Sequence, residues 1–337
     1  MTSALTRAGR AAASLWVTLA SVAAAAAVAL AGGGDMVFPV GLYIALPFAV
    51  LFVNLIAALA TNAALRRRGG LLGFHLALAA LALLVAADRL MAFYGHVEVT
   101  EGAAFDPDLV EASAGPLHLW TLDRVRFAQG GFDIAYAPRM KRQDTVSEIF
   151  VPDGGAGWAR VLVGDDTPLI AGGYRFYTSF NKGFAPLLTY VGQDGRAQSG
   201  AVHLPSYPLN YFKQGNEWVL PGTEERVKLW LHLPEPVYAE DLAWRFRKPD
   251  DARLVVIDGE QRHELRPGDV LPLRGGTLRY DELRGWMGYT ISYNPLVPWM
   301  LAAAALGVLC LAWHVAGRLR RTSWELERRT AGGAHAG

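Results

Sequence analysis

Two histidines, His75 and His314, lie inside strongly apolar stretches of the sequence. An imidazole held at bilayer depth is costly, so such a ring turns to a protein interior or to a ligand. Neutral imidazole is also a metal ligand and needs no buried counter-charge. The other reading of each ring is a hydrogen bond to a carbonyl of an adjacent helix. At a helical rise of ~1.5 Å per residue, counting from Arg68 and Arg318 puts the two rings roughly 10 Å and 6 Å inside one boundary, at similar depth. The helix face of His75 carries Ala79, Ala82, Ala86 and Arg89, and that of His314 carries Ala303, Gly307 and Cys310. Small residues let a flat cofactor or a neighbouring helix come close.

Other chemistries find no support in the residues. Cys310 is the sole cysteine and sits in an apolar run, so neither an internal disulfide, a C-x-x-C exchanger nor a C-x-x-C-H haem attachment is available. No H-E-x-x-H, G-x-S-x-G or P-loop motif occurs. His96 reads as interfacial, and His118, His203, His232 and His263 are scattered singly, as solvated or hydrogen-bonded rings. Asp88 and Arg89 also read as interfacial. A net charge of +1 excludes the basic stripe of a nucleic-acid-binding protein.

The elements that position the histidines follow from hydropathy. The chain is 52% hydrophobic and 19% charged, and the apolar excess falls in residues 12–95 and 295–317. Four runs of spanning character emerge: Ser14 to Ala31, Val37 to Leu65, Leu71 to about Ala87, and Leu296 to Gly317. Gly32–Asp35 is expected to turn the first two into a hairpin, with Pro39 and Pro47 kinking its second member. Arg7 and Arg10, Arg66–Arg68, and Arg318, Arg320 and Arg321 fall on one side if both termini are cytoplasmic. The expected fold is therefore an integral membrane protein of four transmembrane helices, with a large extracytoplasmic antiparallel β-rich domain, sandwich or barrel-like, between helices three and four. Its segments are 1–95, three transmembrane helices; 96–293, the β domain; 294–321, the last helix; and 322–337, a cytoplasmic tail whose end from Arg329 reads as disordered. Strand-like runs include Leu117–Phe127, Ala159–Val163, Gly173–Phe180, Val227–Leu233, Arg253–Ile257, Thr277–Tyr280 and Gly288–Tyr293, separated by turn sequences such as Asp153-Gly154-Gly155 and Asp258-Gly259.

Several stretches carry a resemblance. Gly73-Phe74-His75-Leu76 opens the third helix, which runs out through Gly95 to Val97-Glu98-Val99-Thr100-Glu101-Gly102. Gly288-Tyr289-Thr290-Ile291-Ser292-Tyr293-Asn294-Pro295 leads into the fourth, and Gly172-Gly173-Tyr174-Arg175-Phe176-Tyr177 and Gly275-Gly276-Thr277-Leu278 lie between. In this order and membrane context the chain resembles the ResB/CcsB family of System II cytochrome c maturation. The resemblance implies a non-catalytic, haem-handling subunit of the bacterial inner membrane, its large domain periplasmic or external. It implies that His75 is an axial ligand of haem b in transit, that metal binding is through the haem iron, and that the second membrane ligand comes from the partner; His314, singled out by its own apolar setting, is the weaker candidate. The implied partners are a CcsA-like membrane haem protein, apocytochrome c and membrane lipid, with no nucleic acid. This chain lacks a tryptophan-rich external haem motif, so a fused synthase is excluded. The rival reading is a membrane-anchored periplasmic scaffold or sensor that binds no haem.

Overall fold

Long runs of alanine and leucine bounded by arginine or glycine favour helix, and the apolar stretches fold accordingly. A computed structural model describes residues 11–31, 38–155, 157–209, 213–233 and 241–333, with the backbone alone at 31, 38–40 and 321–333. Its helices are α1 (Leu15–Ala31), α2 (Phe38–Thr61), the one-turn α3 (Ala63–Arg66), α4 (Gly69–Met91) and α5 (Val297–Gly333). Stretches of α2, α4 and α5 are long and apolar enough to cross a membrane, namely Gly41–Thr61, Gly69–Met91 and Val297–Arg320. The first helix falls short, with 17 residues against the ~20 that span hydrocarbon. The expected turn at Gly32–Asp35 lies outside the described residues. Helix α5 continues to Gly333, through residues expected to be disordered from Arg329. Glu325, Leu326, Glu327, Arg328 and Arg329 are good helix formers that extend an already nucleated helix.

The chain divides into two compact units, the first made of Met1–Tyr94, Ser113–Leu119 and Tyr293–Gly337, the second of Gly95–Ala112 and Trp120–Ser292. In the first unit, α4 packs against α2 on one side and α5 on another. Helices α4 and α5 come close because the seam is nearly free of side chains. A Cβ on Gly70 would stand 2.9 Å from both the Cys310 carbonyl oxygen and the His314 nitrogen, and one on Gly73 would stand 2.6 Å from Cys310 Sγ. A Cβ on Gly307 would lie 3.3 Å from that of Ala77. Helix α2 holds α1 through Asn54, 3% exposed. Its amide donates to the carbonyls of Ala12 (2.6 Å) and Ser14 (3.0 Å), and its oxygen accepts from Thr18 Oγ1 (2.7 Å). The side chain thereby ties the start of α1 to α2.

The second unit is built from three open sheets, and every strand pairing with a described register is antiparallel. None of the described sheets closes into a barrel. The largest has seven strands and is built on two long ones, Tyr174–Gly192 and Gly276–Tyr293, paired from Gly276↔Gly192 to Ser292↔Arg175. The runs expected at Thr277–Tyr280 and Gly288–Tyr293 are thus one strand. A four-stranded sheet, ordered Gln261–Leu265, Arg253–Asp258, Arg226–His232, Gly215–Val219, shares a core with the large one. Leu188, Tyr190, Leu278 and Tyr280 meet Val227, Leu229, Leu254 and Val256 there. The other four-stranded sheet is ordered Trp244–Phe246, Ala128–Ala137, Lys141–Pro152, Trp158–Gly164. The expected strand Leu117–Phe127 is not one. That stretch is irregular with a 3₁₀ turn at Leu122–Arg124, because its first residues are committed to closing the end of α4.

Lys182 is 3% exposed within the second unit. Its amine donates to the Phe180 carbonyl at 3.3 Å and stands 4.9 Å from the centre of the Tyr136 ring, which stacks on Trp244. Burial, and secondarily the nearby Arg142 guanidinium, lowers its pKa from the ordinary lysine value to about 8. The fold therefore disfavours the charged amine relative to the unfolded chain. That penalty is fully present below pH about 8 and fades as the pH rises toward the ordinary lysine value.

Two stability outcomes follow. Gly73→Ala forces a Cβ against Cys310 Sγ and should cost ~1–3 kcal/mol; Gly73→Ala with Cys310→Ala should recover most of it. A double variant no more stable than the single one in detergent melts would show that this contact does not set the seam. For Lys182→Met, the gain in melting temperature over wild type should be largest at pH 7 and shrink by pH 10. A gain independent of pH would remove the buried charge as its cause.

Candidate functional site

Helix α4 begins at the Gly69-Gly70 pair and places His75 on its second turn. The imidazole is partly buried, and its Nδ1 lies 2.8 Å from the carbonyl oxygen of Leu71, one turn back on the same helix. A carbonyl can only accept, so Nδ1 carries the proton and Nε2 keeps its lone pair. No described residue bonds to Nε2. A metal-bound histidine has this pattern, one nitrogen anchored to a carbonyl and the other free. The Phe74 ring stands edge-on at 5.5 Å. The carbonyl that fixes His75 belongs to its own helix, in place of the neighbouring helix considered from the sequence.

His314 has different surroundings. Its backbone fills the α4–α5 seam, its Cα 3.0 Å from where a Cβ on Gly70 would stand, and its ring bonds to no described residue. The contacts Gly70–His314, Gly73–Cys310 and Ala77–Gly307 fix an antiparallel register. His314 is level with Gly70, so His75 lies five residues, or ~7.5 Å, farther along α4. At ~100° per residue His75 is also roughly 140° around α4 from Gly70. The structure thus does not bring the two rings together, and the similar depth inferred from the arginines becomes a separation of about a turn and a half.

The alanine stripe is also explained by packing. Ala79, Ala82 and Ala86 are 2–5% exposed on the side of α4 that carries His75, so it is filled by protein and holds no space for a flat ligand. The accessible part of that face is its His75 end.

The outer end of α4 carries residues whose role the sequence concealed. Asp88, expected at the interface, is 1% exposed. Its Oδ1 accepts the Leu296 backbone N–H at 3.2 Å, where α5 begins. Arg89 donates to Tyr94 Oη (3.2 Å), and Tyr94 donates to Asn294 Oδ1 (2.9 Å). The segment Ser113–Leu119 covers the helix end. Gly115 and Leu117 donate their N–H groups to the carbonyls of Ala92 and Leu90, both at 2.8 Å, and His118 Nδ1 donates to that of Met91 at 3.0 Å. Gly115 is obligatory, since a Cβ there would stand 2.2 Å from the Leu90 oxygen. An acid inside an apolar run is the signal that such a partner exists.

In the second unit a cleft of about 480 Å³ is lined by His96, Glu98, Ser179, Asn181, His203 and Tyr289, among others. His203 Nε2 faces Thr100 Oγ1 at 2.7 Å, its Nδ1 faces Glu98 Oε2 at 3.0 Å, and its ring stacks on Trp286. Both nitrogens are engaged, which leaves no lone pair for a ligand. Tyr289 closes a ring of bonds in which its hydroxyl donates to Gln129 Oε1 (2.7 Å), Gln129 Nε2 donates to Ser147 (2.9 Å), and Ser147 donates to Tyr289 (2.6 Å). Burial pushes the Tyr289 pKa up. Among the described residues no group of three or more His, Cys, Asp or Glu side chains could hold a metal ion.

A solved structure described as Cytochrome c Heme Lyase CcmF aligns with 89% of this chain and 34% of its own, at 17% identity and a TM-score of 0.28. The chain spans about a third of the length of that structure. A search of curated proteins finds no match. A model of the ResB-like family matches residues 53–335, from within α2 through the β-rich unit to the end of α5. That range takes in His75, the buried Asp88, the Glu98–Gly102 stretch and the Tyr289-to-Pro295 approach to α5, and on it the chain belongs to the ResB-like family of cytochrome c biogenesis components.

Proposed function

We propose that the chain is a haem-handling subunit that works with a CcsA-like membrane partner to pass haem b outward to apocytochrome c, and that His75 is its axial ligand. One observation carries the reading: a partly buried imidazole at bilayer depth, with Nδ1 held by the Leu71 carbonyl and Nε2 unpaired. Iron in haem offers an open axial position that such a nitrogen fills. Leu71 holds the ring in one tautomer and orientation, and the packed alanine face leaves His75 as the point of approach. The partner supplies the second ligand. His314, in the seam on another side of α4, has no part in the same site. The chain itself carries out no covalent step; its β-rich unit holds the partner or the apocytochrome.

On this reading all four apolar helices cross the bacterial inner membrane, α1 together with flanking residues, and both termini are cytoplasmic. Arg66–Arg68, between α2 and α4, and Arg318, Arg320 and Arg321, where the apolar part of α5 ends, support that orientation.

Topology reporters fused at Gly70 and after Arg321 should read as cytoplasmic, and those at Gly154 and Gly259 as external; an external reading at Gly70 reverses the orientation. For the ligand, His75→Ala, co-expressed with the partner, should insert normally yet lose most co-purifying haem, with partial recovery on adding imidazole, while His314→Ala keeps it. Equal haem in wild type and His75→Ala at matched expression would favour the scaffold that binds no haem.

A further inference from the structure

The segment that closes the outer end of α4 presents two large apolar side chains to its surroundings. Leu117 is 59% exposed and Leu119 69% exposed, on either side of His118, which is 6% exposed and turned inward to the Met91 carbonyl. His118 is fixed further by rings on two sides, Phe93 at 5.1 Å and Tyr293 at 5.2 Å. Two backbone bonds of 2.8 Å, from Gly115 to Ala92 and from Leu117 to Leu90, fasten the segment to the last turn of α4.

These facts fix a level as well as an exposure. Leu90 is the penultimate residue of the apolar helix Gly69–Met91, so a backbone bonded to its carbonyl lies where hydrocarbon gives way to headgroups. Water is a poor environment for two leucines exposed this close together, whereas the apolar edge of the bilayer favours them. Rigid attachment through Gly115, Leu117 and His118 means that the leucines are presented without further ordering of the backbone. We infer that the Leu117–Leu119 segment is a membrane anchor that inserts its two leucine side chains into the outer leaflet and sets the depth of α4, and with it that of His75. The inference rests on α4 being a membrane span. The occupant is lipid, recognised by apolar burial at the interface, and not a further protein chain.

The test uses the full-length chain with Cys310→Ala in phospholipid nanodiscs, carrying one nitroxide at Leu119→Cys, at Leu83→Cys in mid-helix, or at Glu260→Cys in an exposed hairpin. Collision with oxygen, which concentrates in lipid, is compared with collision with a water-soluble nickel complex. The oxygen-to-nickel ratio at Leu119 should exceed that at Glu260 several-fold and approach that at Leu83. A water-like ratio at Leu119 with a lipid-like one at Leu83 would overturn the anchor and leave the span intact. Weak collision with both reagents at Leu119 would also overturn it, by showing that protein covers the site. A water-like ratio at Leu83 would remove the span and the anchor together.

Discussion

Where an apolar helix ends, its last carbonyls have no partner within the helix and must find one outside it. The outer end of α4 is organised around that constraint. The Leu90, Met91 and Ala92 carbonyls accept from Leu117, His118 and Gly115 in one short segment. Asp88, one turn earlier, takes the N–H of Leu296, the residue just before α5. Arg89 reaches α5 through Tyr94 and Asn294. Both helices are thus joined at one end by polar bonds, and at the other by the nearly bare seam of Gly70 and Gly73 against Cys310 and His314. Together these fix the register and rotation of α4 against α5, and hence where His75 points.

The same economy of polar groups recurs elsewhere. Asn54 ties the start of α1 to α2, and the Arg66 guanidinium donates to the Leu59 carbonyl near the end of α2 at 2.9 Å. In the β-rich unit the Gln129–Ser147–Tyr289 ring satisfies three buried side chains with one another. His203 is held by Glu98 and Thr100. By contrast, the Nε2 of His75 is left without a described partner while its Nδ1 is anchored to the Leu71 carbonyl.

Much of this was legible from local sequence. Alanine-rich runs and flanking arginines mark α2, α4 and α5, and turn pairs such as Asp258-Gly259 mark the hairpin between Arg253–Asp258 and Gln261–Leu265. What escaped depends on partners far apart in the chain. Asp88 is buried because a backbone N–H 208 residues away needs its oxygen. Leu117–Phe127 alternates like a strand but begins as a cap on α4, a use visible only once the helix end is adjacent. Counting from the arginines gives His314 a depth close to that of His75, but the register that sets it level with Gly70 and on another side of α4 is decided by glycines that carry no side chain into the seam. His75 stood out from the start because hydrocarbon makes an imidazole conspicuous.

The most direct test of the central claim is a ligand exchange at His75. With the partner co-expressed, the absorption spectrum of the purified complex is recorded for wild type and for His75→Met. If His75 Nε2 binds the iron, the nitrogen-ligated spectrum of wild type should give way in the variant to one with sulfur ligation and a higher reduction potential, since methionine in place of histidine raises it. An unchanged spectrum and potential, with haem still bound, would contradict the account.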